Sequence, residues 1–207
     1  MRTFVYVDGF NLYYGALKGS SWKWLDLVAL FDDVLQPHHR IVTVKYFTAR
    51  VSGTSADQSK PQRQDLYLRA LQRYRSEVEV YFGHFLSHRV QAPLANPAGG
   101  RRTAEVIRTE EKGSDVNLAV HLLNDGWLDA YDCAVVVTND SDIAEAMRLV
   151  RSQNSKRIGL VTPGARRPSR QLMAHAHFSR RIRPSALERS QLPDRIPNTR
   201  IRKPEVW

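Results

Sequence analysis

The sequence predicts an α/β fold: a three-layer α/β/α sandwich around a mainly parallel, doubly wound sheet. Two observations carry this. The strand-like segments "TFVYV" (3–7), "CAVVVT" (133–138) and "RIGLVT" (157–162) are continuous apolar runs, as expected of strands covered on both faces. Segments with helical spacing lie between the strands, so strand and helix alternate along the chain, which is the signature of crossover-linked parallel strands.

The elements follow in order. The first strand, 3–7, ends at "VDGFN". Residues 26–35, "DLVALFDDVL", place Leu27, Leu30, Phe31 and Val34 on one helical face. A second strand is expected over 40–51 and a third over 77–88, both with more alternation. Between them "DLYLRALQRY" (65–74) aligns Leu68, Leu71 and Tyr74. In the helix predicted over 114–126, Val116, Ala119, Val120 and Leu123 have core-facing spacing and Gly126 is a natural stop. A fourth strand at 133–138 leads into a helix over 142–153, and a fifth strand follows at 157–162. Segments 52–64 and 89–103 are polar and Gly/Pro-rich and read as loops that could close over a ligand. There is no internal repeat.

Composition narrows the class. A chain of 207 residues with 42% hydrophobic and 25% charged residues suits one well-buried domain with a tail. No stretch has the roughly 20 apolar residues of a membrane span, and the N-terminus has no signal-peptide pattern. The single cysteine, Cys133, excludes an intrachain disulfide and fits a reducing, cytoplasmic setting. The net charge of +10 is unevenly spread: residues 1–165 carry 20 Lys/Arg against 18 Asp/Glu, and residues 166–207 carry 11 against 3. That basic end would attract phosphate backbones or another anionic surface, or serve only as a solvated tail. After residue 184 the Pro and Arg content suggests an arm (184–207) with little core of its own, following a domain over 1–183.

Ligands of open parallel sheets bind beyond the carboxyl ends of the strands, where strand order reverses. Asp8 follows the first strand directly, Asp140 and Asp142 follow the fourth, and Asp115 opens the helix after "EEKGS". If the first and fourth strands are neighbours, these acids converge. Each alone could be an ordinary helix cap. Four carboxylates together cannot all stay ionised without a cation, and hard oxygen ligands select Mg²⁺ or Mn²⁺.

The motifs "YVDGFNLYYG", "EEKGSDVNLAVHLLNDG" and "DCAVVVTNDSDIAEAMRLV" closely resemble the NYN domains of the PIN-like nuclease superfamily over roughly residues 3–183. The resemblance implies a metal-dependent ribonuclease with a site built from Asp8, Asp115, Asp140 and Asp142. Asn11 would shape the loop of the first acid, and Lys112 and Ser114 would flank the second. Many relatives carry a further Asp in the helix where this chain has His121, which leaves the metal count open. Asp125 reads as a surface or helix-end residue.

On this reading a Mg²⁺ or Mn²⁺ ion activates water and neutralises charge on a phosphodiester. Thr138, Asn139 and Ser141 would orient carboxylates and waters. Lys112 would meet a phosphate oxygen or pair with Glu110 or Glu111. Arg101, Arg102, Arg166, Arg167, Arg170, Arg180 and Arg181 are the candidates for contact with RNA, expected to be single-stranded. Tyr13, Tyr14, Trp22 and Trp24 are candidates for base stacking, against core packing for at least half of them. "HAH" at 175–177 is rejected as a metal pair, since helical residues two apart do not share a face. No membrane partner is expected, and a homodimer is left open. Two rivals stand beside the ribonuclease: an RNA-binding or assembly module with an idle site, and a Mg²⁺-dependent phosphatase, disfavoured because Phe10 occupies the usual place of its general acid.

Overall fold

The computed structural model describes residues 1–53, 55, 57–98 and 100–206, the Ala98 side chain excepted. Thr54, Ala56, Gly99 and Trp207 fall in the two expected loops and the expected arm, and lie outside the described residues. Seven strands form one sheet: β1 (Arg2–Asp8), β2 (Arg40–Ala49), β3 (Val78–Ala98), β4 (Arg101–Lys112), β5 (Cys133–Val137), β6 (Arg157–Thr162) and β7 (Phe178–Arg181). Their order is β4-β3-β2-β1-β5-β6-β7, and every pairing is parallel except β3 with β4. Strand order reverses between β1 and β5, whose registers match Val7 with Val137. The expected adjacency of the first strand and the strand at 133–138 is what the structure has.

Because successive residues of a strand face opposite sides, β1 and β5 supply two cores. Val5, Val7, Cys133, Val135 and Val137 face one core, closed by α2 (Leu27–Val34) and α3 (Lys60–Tyr74). Phe4, Tyr6, Ala134 and Val136 face the other, closed by α4 (Ser114–Trp127), α5 (Ala144–Gln153) and Leu172 of α6 (Arg170–His175). Three layers result, as the apolar runs predicted. Asp26 caps α2 by accepting from the Val28 and Ala29 amides, and Arg75 grips the same carboxylate at 2.6 Å. Among the described residues no helix is long and apolar enough to cross a membrane.

Four expectations need correction. Segment 89–103 is not a loop. β3 runs on past its pairing with β2 and folds back as β4, making an antiparallel ribbon whose Leu86, Val106 and Ile107 are exposed. A ribbon wet on both faces needs no apolar alternation, which is why its sequence reads as loop. Helix α3 begins at Lys60, inside the other expected loop, with Pro61 in its first turn where a missing amide costs nothing. On α4 the core face is Leu118 and Leu122, with Ala119 and Leu123 of the expected stripe packed beside them, while Val116 and Val120 are exposed. Both sets have helical spacing, so periodicity alone could not choose between them.

The segment after 183 does not stand off as an arm. Helix α7 (Pro184–Arg189) is followed by chain that buries Leu187, Leu192 and Ile196 in the α2–α3 core. The Leu192 amide donates to the Trp24 carbonyl at 2.8 Å, and the Trp24 indole donates to the Pro193 carbonyl at 3.0 Å. Widely spaced Leu and Ile among Arg and Pro hid this apolar face. Trp24 is therefore a fully buried anchor and not a base-stacking surface.

Candidate functional site

The carboxyl edge at the β1–β5 reversal holds a cup of about 250 Å³ lined by Asp8, Phe10, Asn11, Tyr14, Phe85, Glu111, Ser114, Asp115 and Asp140. Its acids come from three junctions. Asp8 ends β1 and caps α1 (Gly9–Leu12), with Oδ1 accepting from the Asn11 amide at 2.9 Å. Its Oδ2 accepts from Asn11 Nδ2 at 2.7 Å and from Thr138 Oγ1 at 2.8 Å across the β1–β5 seam. Thr138 Oγ1 in turn accepts from the Asp140 amide at 3.1 Å, so one hydroxyl ties the two acidic loops together. Asp140 Oδ1 caps the short 3₁₀ turn Ser141–Ile143 by accepting from the Asp142 amide.

The third junction is the β4–α4 turn. Gly113 sits at φ 94°, a left-handed conformation that glycine adopts without strain. Glu111 accepts from the Ser114 amide at 3.1 Å and from its hydroxyl at 2.7 Å, fixing the start of α4 and aiming Asp115 at the cup. Lys112 is exposed and pairs with Glu110 at 2.9 Å, so it does not line the cup.

Electrostatics show that these acids feel one another. The Asp115 carboxyl is pushed up to about 6, first by desolvation, then by Asp8, Asp140, Glu111 and Asp142. Asp8 is also raised, chiefly by burial and against its own hydrogen bonds. Asp142 is exposed and lies outside the lining, its charge reaching Asp115 only as the weakest of those influences. Among the described residues, no three Asp, Glu, His or Cys side chains come together in a group that could hold a metal ion. The donor set is all oxygen, which fits a hydrated hard cation held by one or two carboxylates plus waters.

Asn139 links the cup to the basic loop beyond β6. Its backbone amide donates to Asn11 Oδ1 at 3.2 Å, its Oδ1 accepts from the Ser169 amide, and its Nδ2 donates to the Arg167 carbonyl. Arg166 and Arg167 are thereby exposed beside the acids, with Arg170 at the start of α6. Arg181 reaches the Arg166 carbonyl. Arg101 and Arg102 lie at the far end of the ribbon. Arg180 is not at this edge: it lines a separate cleft with Gln36, His38, His39, Arg157 and Phe178. His175 ends α6, and His177 lies past it accepting from the Ile158 amide, so the two share no helix.

His121 and Asp125 lie away from the cup on the inner face of α4. Asp125 is a buried residue, correcting the surface assignment. It accepts from Lys45 Nζ at 2.6 Å and from the Tyr6 hydroxyl at 2.7 Å. His121 packs against Tyr81 at 4.0 Å between centroids, and burial and Lys45 depress its pKa.

Glu111 was overlooked as a lining residue. The sequence suggests it only as an ion partner of Lys112; its carboxylate instead holds Ser114, the first residue of α4, and its place three residues before Ser114 is the signal that points to it. Phe85 carries no local signal, since β3–β4 pairing alone sets it opposite Glu111.

A mainly parallel, helix-flanked sheet with carboxylates at its reversal is consistent with the PIN-like class of α/β proteins. Within it, the NYN domain family matches residues 2–180, and the chain belongs to that family, whose members are generally nucleases. It is also similar to 6-hydroxy-3-succinoylpyridine 3-monooxygenase HspA of Pseudomonas putida, at 33% identity covering 100% of this chain and 75% of that protein. A crystal structure of a protein of unknown function from Vibrio parahaemolyticus shares the fold, with a TM-score of 0.56 at 18% identity over 92% of this chain and 96% of that one.

Proposed function

We propose that this protein is a metal-dependent ribonuclease, with Asp8, Asp115 and Asp140 as the groups that would hold Mg²⁺ or Mn²⁺, one or two of them directly and the rest through waters, and Asp142 acting from the rim. The observation carrying this reading is the cup itself, in which Asp115 is raised first by desolvation and then by four neighbouring carboxylates, with no cationic side chain in the lining among the described residues. A bound divalent ion would supply charge neutralisation and water activation there. Thr138 and Asn11 hold Asp8 in place, Glu111 and Ser114 hold the start of α4, and Ser141 opens the turn carrying Asp142. Arg166, Arg167, Arg170 and Arg181 would carry single-stranded RNA past the cup, with Arg101 and Arg102 as more distant contacts. The reading includes a cytoplasmic setting.

The test is cleavage of single-stranded RNA with Mn²⁺ by the parent and by Asp140→Asn, with binding followed in parallel. Cleavage lost while binding persists supports the assignment; equal cleavage by both proteins refutes it. Binding with no cleavage by the parent identifies an RNA-binding module instead.

A second reading is oxidation of a small heteroaromatic acid, as the name of the Pseudomonas relative describes for that protein. It is favoured by 33% identity extending over the whole chain. A monooxygenase consumes dioxygen and a two-electron donor, so oxygen uptake with 6-hydroxy-3-succinoylpyridine and a reduced nicotinamide would distinguish it from the hydrolase. Uptake that depends on the pyridine supports this reading, and its absence removes it.

A further inference from the structure

Beside the acidic cup lies a larger cavity of about 350 Å³, and the two share Phe10 and Tyr14 as a common wall. Phe10 meets Phe85 edge-on at 5.8 Å on the cup side, so the partition is itself aromatic. The cavity is built differently from the cup. Among the described residues, tyrosines 13, 14, 46 and 67 line it, with three cations, Lys23, Lys60 and Arg63, against the one carboxylate of Asp57. Arg63 is engaged with Asp57. Lys60, at the start of α3, has no carboxylate within ion-pair distance among the described residues. Tyr13 and Tyr14 stand on a π-turn (Tyr13–Leu17), a distortion often found where a helix serves a ligand.

Tyr46 adds a hydroxyl to the lining. Tyr46 on β2 is 8% exposed, lines the cavity, and its hydroxyl has no hydrogen-bond partner among the described residues. By contrast the Tyr67 hydroxyl already donates to the Leu25 carbonyl at 2.9 Å. Gly9 makes the placement of Tyr46 feasible: a Cβ there would lie 2.8 Å from the Tyr46 hydroxyl and 2.7 Å from the Phe47 carbonyl.

We propose that this cavity binds a single planar heteroaromatic ring carrying an anionic group, with the ring among the tyrosines, the anion on Lys60 and a ring acceptor on the Tyr46 hydroxyl. The volume lies at the small end of ligand cavities, suited to one ring and a short tail. Both a free heteroaromatic acid and a pyrimidine nucleotide have this chemistry, and either would bring its ring to within one side chain of the acidic cup. The inference rests on neither reaction above. Binding measured without metal or reductant can fail while RNA cleavage or oxygen uptake stands, and the reverse holds as well.

The experiment is calorimetric titration of the full chain, without metal, with 6-hydroxynicotinate, uridine 5′-monophosphate and, as a non-aromatic control, cyclohexanecarboxylate. One or both ring probes should bind and the control should not; which ring probe binds more tightly identifies the source. Lys60→Gln should weaken ring-probe binding by about 10- to 100-fold, the scale of a hydrogen bond to a charged group. Tyr46→Phe should weaken it by about 3- to 10-fold, the scale of a neutral hydrogen bond. Neither variant removes a contact the folded chain uses, so both should fold, and unchanged thermal unfolding checks this. No binding of either ring probe at millimolar concentration, equal binding of the control, or parental affinity in both variants overturns the proposal.

Discussion

Helix α4 carries an acid at each end, and the two are treated in opposite ways. Asp125, near its C-terminus, is buried but receives Lys45 and the Tyr6 hydroxyl. Asp115, in the first turn, is more open to water, yet the charges that reach it across the cup are those of other carboxylates. A charge withdrawn from water is tolerable when paired, and it is then a device for positioning the helix. A charge left among like charges is a standing cost that nothing in the fold requires. The comparison teaches that an uncompensated group, not a buried one, marks where a ligand belongs.

Four experiments press on that contrast. The largest effect is expected on activity: Asp140→Asn should lower Mn²⁺-dependent RNA cleavage by at least about 100-fold, the scale of losing a group that stabilises developing charge. Next, Lys45→Met should destabilise the fold by about 3–5 kcal/mol in urea unfolding, because it strands Asp125. Adding Asp125→Leu to that variant should recover most of the loss. If Lys45→Met alone costs nothing, Asp125 is not held by pairing and the contrast dissolves. Tyr6→Phe should cost about 1–2 kcal/mol by removing the second donor to Asp125.

The smallest effect has the opposite sign. Asp115 has a folded pKa of about 6 against an ordinary 3.8. The folded state therefore binds the proton more tightly, and the charge on Asp115 reduces stability as pH rises through that window. Asp115→Asn should raise the melting temperature at pH 7.5 by a few degrees, for about 1 kcal/mol after allowing for solvent screening, and should change it little near pH 4. Millimolar Mn²⁺ should raise the melting temperature of the parent at pH 7.5 and do so less in Asp115→Asn. A variant less stable than the parent at pH 7.5 would show that the repulsion is not real.

Much of this was legible in the chain. The apolar runs at 3–7 and 133–138 mark central strands because both faces are covered, and the acids that follow them meet because strand order reverses there. Asp125 was not legible, since its partners Lys45 and Tyr6 are 80 and 119 residues away. Helical spacing identified α4 but not which of its two apolar stripes faces inward, a matter the sheet decides. Tyr46 and Lys60 come together only when β2 and α3 pack, so the aromatic cavity has no linear motif.

The antiparallel ribbon has a consequence for substrate size. Its two strands leave the sheet at His84 and Lys112, and the adjoining pair, Phe85 and Glu111, forms part of the cup wall. From there it extends on the order of 40 Å, at about 3.3 Å per residue. A small molecule seated in either cavity would never meet the tip, whereas a polymer threading the acids has a long rail within reach. Shortening the ribbon by excising residues 90–105 should leave turnover of a compact substrate intact and impair only that of an extended one, an outcome that tells the two proposed substrates apart.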